Sequence, residues 1–293
     1  MRTGNELANE FKWKARVRAI MDGAATGLAI LATLIVVAPL VAIFVYIVFK
    51  GASSLNIDFF TKIPKPVGEL GGGMANAIVG SAILLAVGSA IGVPIGIAGG
   101  IFLAEFGRGT KLANAVRFTA DVLNGVPSIV MGIAVYSLVV VPTHFSGFSG
   151  GVALGIMMIP TVCRTTEEML LMVPHAIREA ALALGVPNWR SVLAITVKTA
   201  SPGIITGCML AFARVAGETA PLIFTAFGNS NWSTNLSEPM AALPLQIYVY
   251  ALSPYDDWHR LAWAGALVLI VLILLAVSLV RYVTSRGVLK GVS

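Results

Sequence analysis

Six apolar stretches of this chain are each long enough to cross a membrane as a helix. We place these spans at about 23–49, 74–104, 113–141, 150–173, 199–227 and 261–283. About 20 helical residues cross the roughly 30 Å of hydrocarbon in a bilayer. A backbone in lipid must satisfy its own hydrogen bonds, and the alternating pattern of a membrane barrel is absent from these stretches. The sequence therefore predicts an all-α integral membrane protein with six transmembrane helices.

The composition excludes an ordinary soluble domain. Of the 293 residues, 57% are hydrophobic and only 12% are charged, which is about half the charged share of a soluble protein. The two cysteines, Cys163 and Cys208, lie inside apolar spans without metal-ligand spacing. We therefore expect buried free thiols and no metal site. The net charge of +6 does not indicate nucleic-acid binding, because most of its cations fall in the segments outside the spans.

The distribution of Lys and Arg predicts the orientation of the spans. With the N-terminus in the cytoplasm, the inside segments hold fourteen of these residues and the outside segments hold four. Such an excess is typical of cytoplasmic loops, so we expect both termini to be cytoplasmic. The first apolar stretch is about twice the length of a signal-peptide core and lacks a cleavage site, which favours a retained span.

The spans differ in their content of small residues. The second is rich in Gly and Ser, which let helices pack closely in a membrane, whereas the first is rich in Leu and β-branched residues and is expected at the periphery. We predict a cytoplasmic tail at 1–22, a peripheral span and external loop at 23–73, a permease core at 74–285 that contains a cytoplasmic loop at 174–198, and a cytoplasmic tail at 286–293.

Motifs of enzymes are absent from the sequence. There is no phosphate-binding G-x-x-x-x-G-K-[ST], no H-E-x-x-H and no G-x-S-x-G, and the three histidines fall in separate segments. We expect no catalytic residues and no cofactor on this chain. If the protein does ATP-driven work, the ATPase must be another chain.

The loop at 174–198 has an unusual local pattern. Ala, Leu, Glu and Arg favour a short helix at 176–184, which Gly185 and Pro187 should end. Asn188 is expected to cap a second helix. From local chemistry alone, an ordinary interfacial connector explains this loop equally well.

This loop resembles the EAA motif of ABC importer permeases. Glu179, Ala180 and Ala181 are followed at the family's spacing by Gly185 and Ile195. Val197 and Lys198 depart from the Leu and Pro that usually end the motif. The resemblance implies that the loop is a coupling helix that docks into a cleft of a separate ATPase.

Further stretches are similar to the phosphate-specific, PstA-type permeases. They are PIGI at 94–97 with LAE at 103–105, NGVPSIV at 124–130, RTTEEML at 164–170, PGI at 202–204 and AGETAPL at 216–222. The resemblance covers roughly 74–285 and implies a type I ABC importer permease bundle in a prokaryotic cytoplasmic membrane. It also implies a second homologous permease subunit, two ATP-binding subunits that hold ATP and Mg, and an extracytoplasmic phosphate-binding protein.

Two charged residues fall near the middle of the fifth span. Arg214 and Glu218 are four residues apart, so on one helix they would share a face and could pair. A charge at this depth is costly and often functional. Two interpretations stay open: a self-satisfied pair that fixes packing, or a polar face of the substrate pathway in which Arg214 binds phosphate oxygens.

Three other residues are candidates for the same pathway. Arg164 could either pair with the acidic residues that follow it or line the pathway. Asn124 and Ser128 flank a Gly-Val-Pro break in the third span, and a broken backbone at membrane depth favours a cavity wall. Arg117 and Asp121 are also four residues apart but lie near the inner end of the third span, where a structural role is favoured over a pathway role.

Charge counting does not identify the substrate, because acidic residues balance the arginines within the spans. An importer of another oxyanion such as sulfate or molybdate is the nearest alternative. A stand-alone secondary transporter or channel is a less favoured alternative, since a coupling loop without an ATP-binding motif indicates a partner ATPase.

Overall fold

The computed structural model describes residues 4–69 and 71–289, with side chains described for 13–69 and 71–284. The described chain is almost wholly helical and contains no β-strand. Its helices are α1 (Gly4–Ala52), α2 (Ile57–Thr61), α3 (Ala75–Ile101), α4 (Lys111–Gly125), α5 (Ser128–Val135), α6 (Gly147–Leu171), α7 (His175–Ala183), α8 (Asn188–Ser191), α9 (Val197–Ala216), α10 (Ala220–Thr225), α11 (Leu243–Ala251) and α12 (Asp256–Leu289). Single π-helical turns extend α3 and α5 and join α8 to α9.

Among the described residues, five helical segments are long and apolar enough to span a membrane. They are Trp13–Ala52, Ala75–Phe106, Gly147–Leu171, Asn188–Ala216 and Asp256–Thr284. The span predicted at 113–141 is not one straight helix, because α4 and α5 meet at an angle of 109° at the break that the sequence predicts. Pro127 explains the bend: it has no N–H to continue the helix, and it holds Val126 in an extended conformation with ψ of 131°.

The packing of α3 on α6 shows that the bent pair still makes a crossing. The glycines of α3 lie very close to α6. If Gly92 carried a Cβ, that atom would lie 2.7 Å from Met158, and a Cβ on Gly100 would lie 2.5 Å from Thr166. Residue numbers rise together along both helices, so α3 and α6 run parallel and begin at the same membrane face. The chain must return across the membrane between them, and α4 with α5 provides that crossing. The described chain therefore makes six crossings.

The fifth span is shifted from its predicted position at 199–227. It begins at Asn188 and α9 ends at Ala216, and the chain then breaks before the short helix α10. Pro221 lacks the N–H that a continuous helix would bond to the carbonyl of Gly217. Gly203 and Gly207 pack on Met169 and Thr165 of α6, so α9 is antiparallel to α6.

The first helix packs on the rest of the chain only near its end. Tyr46 contacts Trp263 of α12 edge-on at 5.1 Å, and Gly51 lies against the same turn. The remaining described side chains of α1 are almost all exposed. The helix also runs through most of the predicted tail at 1–22, of which residues 1–3 lie outside the described residues, as do 290–293 of the predicted tail at 286–293.

An extended segment between α10 and α11 covers the membrane face at which α3 and α6 begin. The carbonyl of Glu238 accepts a hydrogen bond from the Gly147 N–H at 2.8 Å. Asn76 donates to the carbonyl of Asn229 at 2.8 Å. We call α7 and α8 with their connecting turn the arm (residues 174–191). The arm lies at the end of the bundle opposite to this face.

Candidate functional site

Four charged side chains form one network between α4 and α6. Arg117 Nε lies 2.6 Å from Glu167 Oε1, and Arg164 Nη1 lies 2.5 Å from Glu167 Oε2. Arg164 Nε lies 3.0 Å from Asp121 Oδ1. Arg117 and Asp121 do not pair with each other, because α4 presents both side chains to α6 and each meets an opposite charge there. The intrahelical Arg164–Glu167 pair is present, and the pathway role of Arg164 stays a prediction.

Glu167 is the centre of this network. Its side chain is only 3% exposed, so its charge depends on the two guanidinium groups around it. Arg117 also donates to the backbone carbonyl of Leu103 at 3.1 Å, which ties α4 to the turn that follows α3. Two positive and two negative groups leave the network formally neutral. The network therefore joins α4, α6 and the turn after α3 near the membrane face on which the arm lies. Because its formal charge is zero, it does not attract an anion.

Arg214 and Glu218 lie on either side of the break that ends α9. Because the helix stops at Ala216, the two residues do not share one helical face, and they form no ion pair with each other or with any other residue in the described part of the chain. Arg214 is exposed and Glu218 is half-buried. Gly203 lies against Met169 and Gly207 lies against Thr165. Extending this antiparallel pairing along α9 brings Arg214 to the level of Met158, about midway along α6. Arg214 is thus an exposed cation about midway along the spans, and no ion-pair partner for it lies among the described residues.

The two helix breaks are close together. An added Cβ on Gly132 of α5 would lie 2.7 Å from Pro221 Cα of α10. Ser128 is one turn before Gly132, and Glu218 is three residues before Pro221. Breaks at membrane depth leave backbone groups without helical partners, which is tolerated where the backbone is buried or lines a cavity.

Asn124 connects the first break to the charged network. Its Oδ1 accepts a hydrogen bond from Thr161 at 3.0 Å, one turn of α6 before Arg164. The structure places Asn124 near the end of α4, Ser128 at the start of α5 and Arg164 on α6. Arg214 lies in the last turn of α9, and Glu218 lies in the break that follows it.

The arm has the helix–break–helix form that its sequence predicts. Gly185 has a φ of +78°, a left-handed conformation that disfavours side chains. The N–H groups of Val186 and Gly185 donate to the carbonyls of Ala181 and Leu182, which is the hydrogen-bond pattern of a Schellman cap. The predicted cap at Asn188 is wrong: α8 begins at Asn188, Pro187 is the capping position, and no side chain caps the helix.

The arm carries several exposed apolar side chains. The large ones are Ile177, Leu182, Leu184 and Trp189. Leu184, beside Gly185, is 84% exposed. Glu179 and Ala180 are exposed on the same short helix, whereas Ala181 is buried against the bundle. Exposed apolar groups concentrated on a short helix indicate a surface that another protein covers.

An ion pair that sequence analysis did not predict holds the arm to the bundle. Arg178 Nη2 lies 2.7 Å from Glu105 Oε1, and it also donates to the carbonyl of Leu170 at 2.6 Å. Both side chains are largely buried. Glu105 follows α3 and is 73 residues from Arg178 in the sequence. The only sequence signal was the presence of opposite charges in two segments predicted on the same membrane face.

A helical bundle with a broken mid-membrane helix pair and a projecting arm defines a permease domain of a membrane transport system. A model of the family described as "binding-protein-dependent transport system inner membrane component" matches residues 96–287, and the chain belongs to this family. Its curated relatives include proteins named phosphate transport system permease protein PstA. The PstA of Yersinia pestis is 46% identical over 240 residues, which cover 82% of this chain and 81% of the relative.

Other relatives carry the same name. The PstA of Xylella fastidiosa (strain 9a5c) is 49% identical over 231 residues, 78% of this chain and 80% of the relative. The PstA of Haemophilus influenzae is 43% identical over 275 residues, 94% of this chain and 95% of the relative. These relatives confirm the family that the motifs of the sequence indicated.

Solved structures of other importers share the fold. An inward-facing structure of the MetNI methionine ABC transporter matches with a TM-score of 0.55 and 21% identity, over 75% of this chain and 97% of that chain. An amino acid ABC transporter matches with a TM-score of 0.54 and 19% identity, over 73% and 92% of the two chains. The predicted ABC importer permease bundle is confirmed.

Proposed function

We propose that this chain is the transmembrane permease subunit of an ATP-driven inorganic phosphate importer and forms half of its translocation pathway. The observation that carries the proposal is the position of Arg214, a mid-membrane arginine beside two adjoining helix breaks. The names of the curated relatives support phosphate as the substrate. A guanidinium presents a planar pair of donors that fits phosphate oxygens.

The remaining pathway residues supply polar contacts around Arg214. Glu218 lies in the break that follows α9 and contributes a carboxylate to the same stretch of the pathway. Asn124 and Ser128 donate from the neighbouring break, and Arg164 leaves its carboxylate partners to meet the anion nearer the arm. A second homologous permease subunit covers the exposed side of Arg214, because an uncovered charge in lipid costs several kcal/mol.

The arm couples this pathway to ATP hydrolysis on other chains. Glu179, Ala180, Ala181 and Gly185 form the part of the arm that docks on an ATP-binding subunit, which binds ATP with Mg. The exposed apolar side chains of the arm support this docking. With the arm in the cytoplasm, both termini are cytoplasmic, and an extracytoplasmic phosphate-binding protein delivers substrate at the opposite face.

Reconstitution of the whole transporter tests the proposal. The chain is purified with its partner permease, two ATPases and the binding protein, and uptake of radiolabelled phosphate into proteoliposomes is measured with ATP inside the compartment that faces the arm. We expect ATP-dependent phosphate uptake that excess sulfate or molybdate does not reduce. Sulfate uptake with no phosphate uptake would assign the other oxyanion, and uptake without ATPase subunits would assign a stand-alone transporter.

A further inference from the structure

An apolar cleft of about 320 Å³ lies on the side of the bundle between α9 and α12. Its lining residues are Pro202, Ile205, Thr206, Met209, Leu210, Ala213, Val277, Arg281 and Thr284. The two threonine hydroxyls donate to carbonyls of their own helices, at Pro202 and Val280. The body of the cleft therefore offers no free polar group and suits a hydrocarbon ligand.

The length and depth of the cleft match one leaflet of a bilayer. Pro202 and Ala213 are eleven residues apart, which is about 16 Å along a helix and close to half of a hydrocarbon core of about 30 Å. Ala213 precedes the mid-membrane Arg214, so the cleft runs from the bilayer midplane to the arm-side face.

Two cations mark the headgroup end of the cleft. Arg281 is the first charged residue after the uninterrupted apolar run 261–280 of α12, which places it at the membrane surface. Lys198 lies four residues before Pro202 and therefore extends the cleft-lining stripe of α9 by one turn. Neither side chain has an ion-pair partner in the described part of the chain. Lys198 is also the residue that replaces the usual motif proline.

We propose that this cleft binds an anionic phospholipid of the arm-side leaflet, with one acyl chain between α9 and α12 and the phosphate between Arg281 and Lys198. Two features favour a lipid over a protein helix. The two cations complement an anionic headgroup, and the cleft is as deep as one leaflet of the bilayer. Basic groups beside a helix cleft at this membrane face attract anionic headgroups. The lipid would bridge the span that follows the arm to the last helix, and the inference does not depend on the substrate of the transporter.

The test measures lipid retention by the purified full-length chain in native mass spectrometry. Phosphatidylglycerol is compared with phosphatidylcholine of the same acyl chains. We expect stronger retention of phosphatidylglycerol, and roughly tenfold weaker retention by the variant Lys198→Gln with Arg281→Gln. The matched control, Lys111→Gln with Arg190→Gln, removes two exposed cations at the same face but outside the cleft and should retain the lipid. Equal retention of both lipids, or of phosphatidylglycerol by both double variants, would overturn the proposal.

Two further measurements separate the lipid from other occupants. A phosphatidylglycerol with a photoreactive acyl chain should crosslink within 202–213, and Ala213→Trp, which fills the deep end of the cleft, should reduce that crosslink. Excess inorganic phosphate should not displace the lipid. Displacement by phosphate would assign a free-anion site, and a crosslink from the cleft to a partner permease in the assembled transporter would assign a protein occupant. Either result contradicts the proposal.

Discussion

Arg117 on α4 and Glu167 on α6 form an ion pair across two helices, with 2.6 Å between Nε and Oε1. Glu167 is the most buried charged side chain of the network, and Arg164 contacts its other oxygen. The first break, at Val126–Pro127, is two to three turns of α4 from Arg117. This pair therefore anchors the part of the bent span that is nearest the arm.

Removing the charge of Glu167 should destabilise the protein. Glu167→Gln leaves two guanidinium groups with one carboxylate, and breaking a buried pair in this way costs about 3–5 kcal/mol. Thermal unfolding in detergent, followed with a thiol-reactive dye, measures the effect, because Cys163 and Cys208 are buried free thiols. The neighbouring exposed Glu168 is the control, and Glu168→Gln should unfold like the wild type. Equal melting temperatures for all three proteins would show that the network contributes little.

The absence of an Arg214–Glu218 pair makes a specific prediction about transport. Arg214→Gln should abolish phosphate uptake with normal membrane abundance, because Gln cannot copy the two-pronged donor. The double variant with Glu218→Gln should stay inactive, since there is no pair whose neutralisation could restore packing. Arg214→Lys tests whether charge alone suffices, and we expect it to retain only weak uptake. Recovery of uptake in the double variant would instead indicate that the two residues serve only structure.

Gly185 should be sensitive to substitution through its backbone alone. No atom lies within 4 Å of a Cβ placed there, so the left-handed φ is the only obstacle. Gly185→Val should disturb the arm and uncouple ATP hydrolysis from uptake, at a cost of about 1–2 kcal/mol for the forced conformation. Gly185→Asn, which tolerates that conformation better, should keep most of the coupling. The ratio of phosphate transported to ATP hydrolysed measures both, and equal ratios in Gly185→Val and wild type would rule out a coupling role.

The proposed orientation is testable with single cysteines in a background that lacks reactive thiols. Ser230 is exposed in the segment between α10 and α11, and Asn188 is exposed in the arm. A cysteine at 230 should react with an impermeant maleimide in intact cells, and one at 188 should react only after the cells are opened. Labelling of position 188 in intact cells would reverse the orientation and place the arm outside.

The sequence predicted the spans and the arm because both depend on local properties. Hydrophobic length identifies a helix in a membrane, and Gly185 with Pro187 identifies a break regardless of neighbours. Pro127 was identified as a break in the same way, but its 109° bend depends on the packing of α5 against α10. Arg214 and Glu218 do not share a helical face because α9 ends at Ala216, between them, and Pro221 prevents the helix from continuing.

The contacts that hold the site together are long-range and were not predicted. Arg117 and Glu167 are 50 residues apart, and Glu105 and Arg178 are further apart still. Periodicity shows only that Arg117 and Asp121 share one face of α4, and not which charges that face meets. Only the parallel course of α3 and α6, and the return of α4 along α6, determine which charges meet.

The glycines of α3 that meet α6 restrict how the transporter can change shape. If Gly96 carried a Cβ, that atom would lie 2.6 Å from Val162. The backbone of α3 therefore packs directly against the side chains of α6, with no side chain of its own in between. Sliding one helix along the other would bring Val162 into collision with the α3 backbone. We therefore expect the two helices to move together as one rigid unit. The described chain breaks its helices elsewhere, at Val126–Pro127 and at Gly217–Thr219. We therefore expect any rearrangement of the bundle to occur at these breaks, with α3 and α6 keeping their mutual packing.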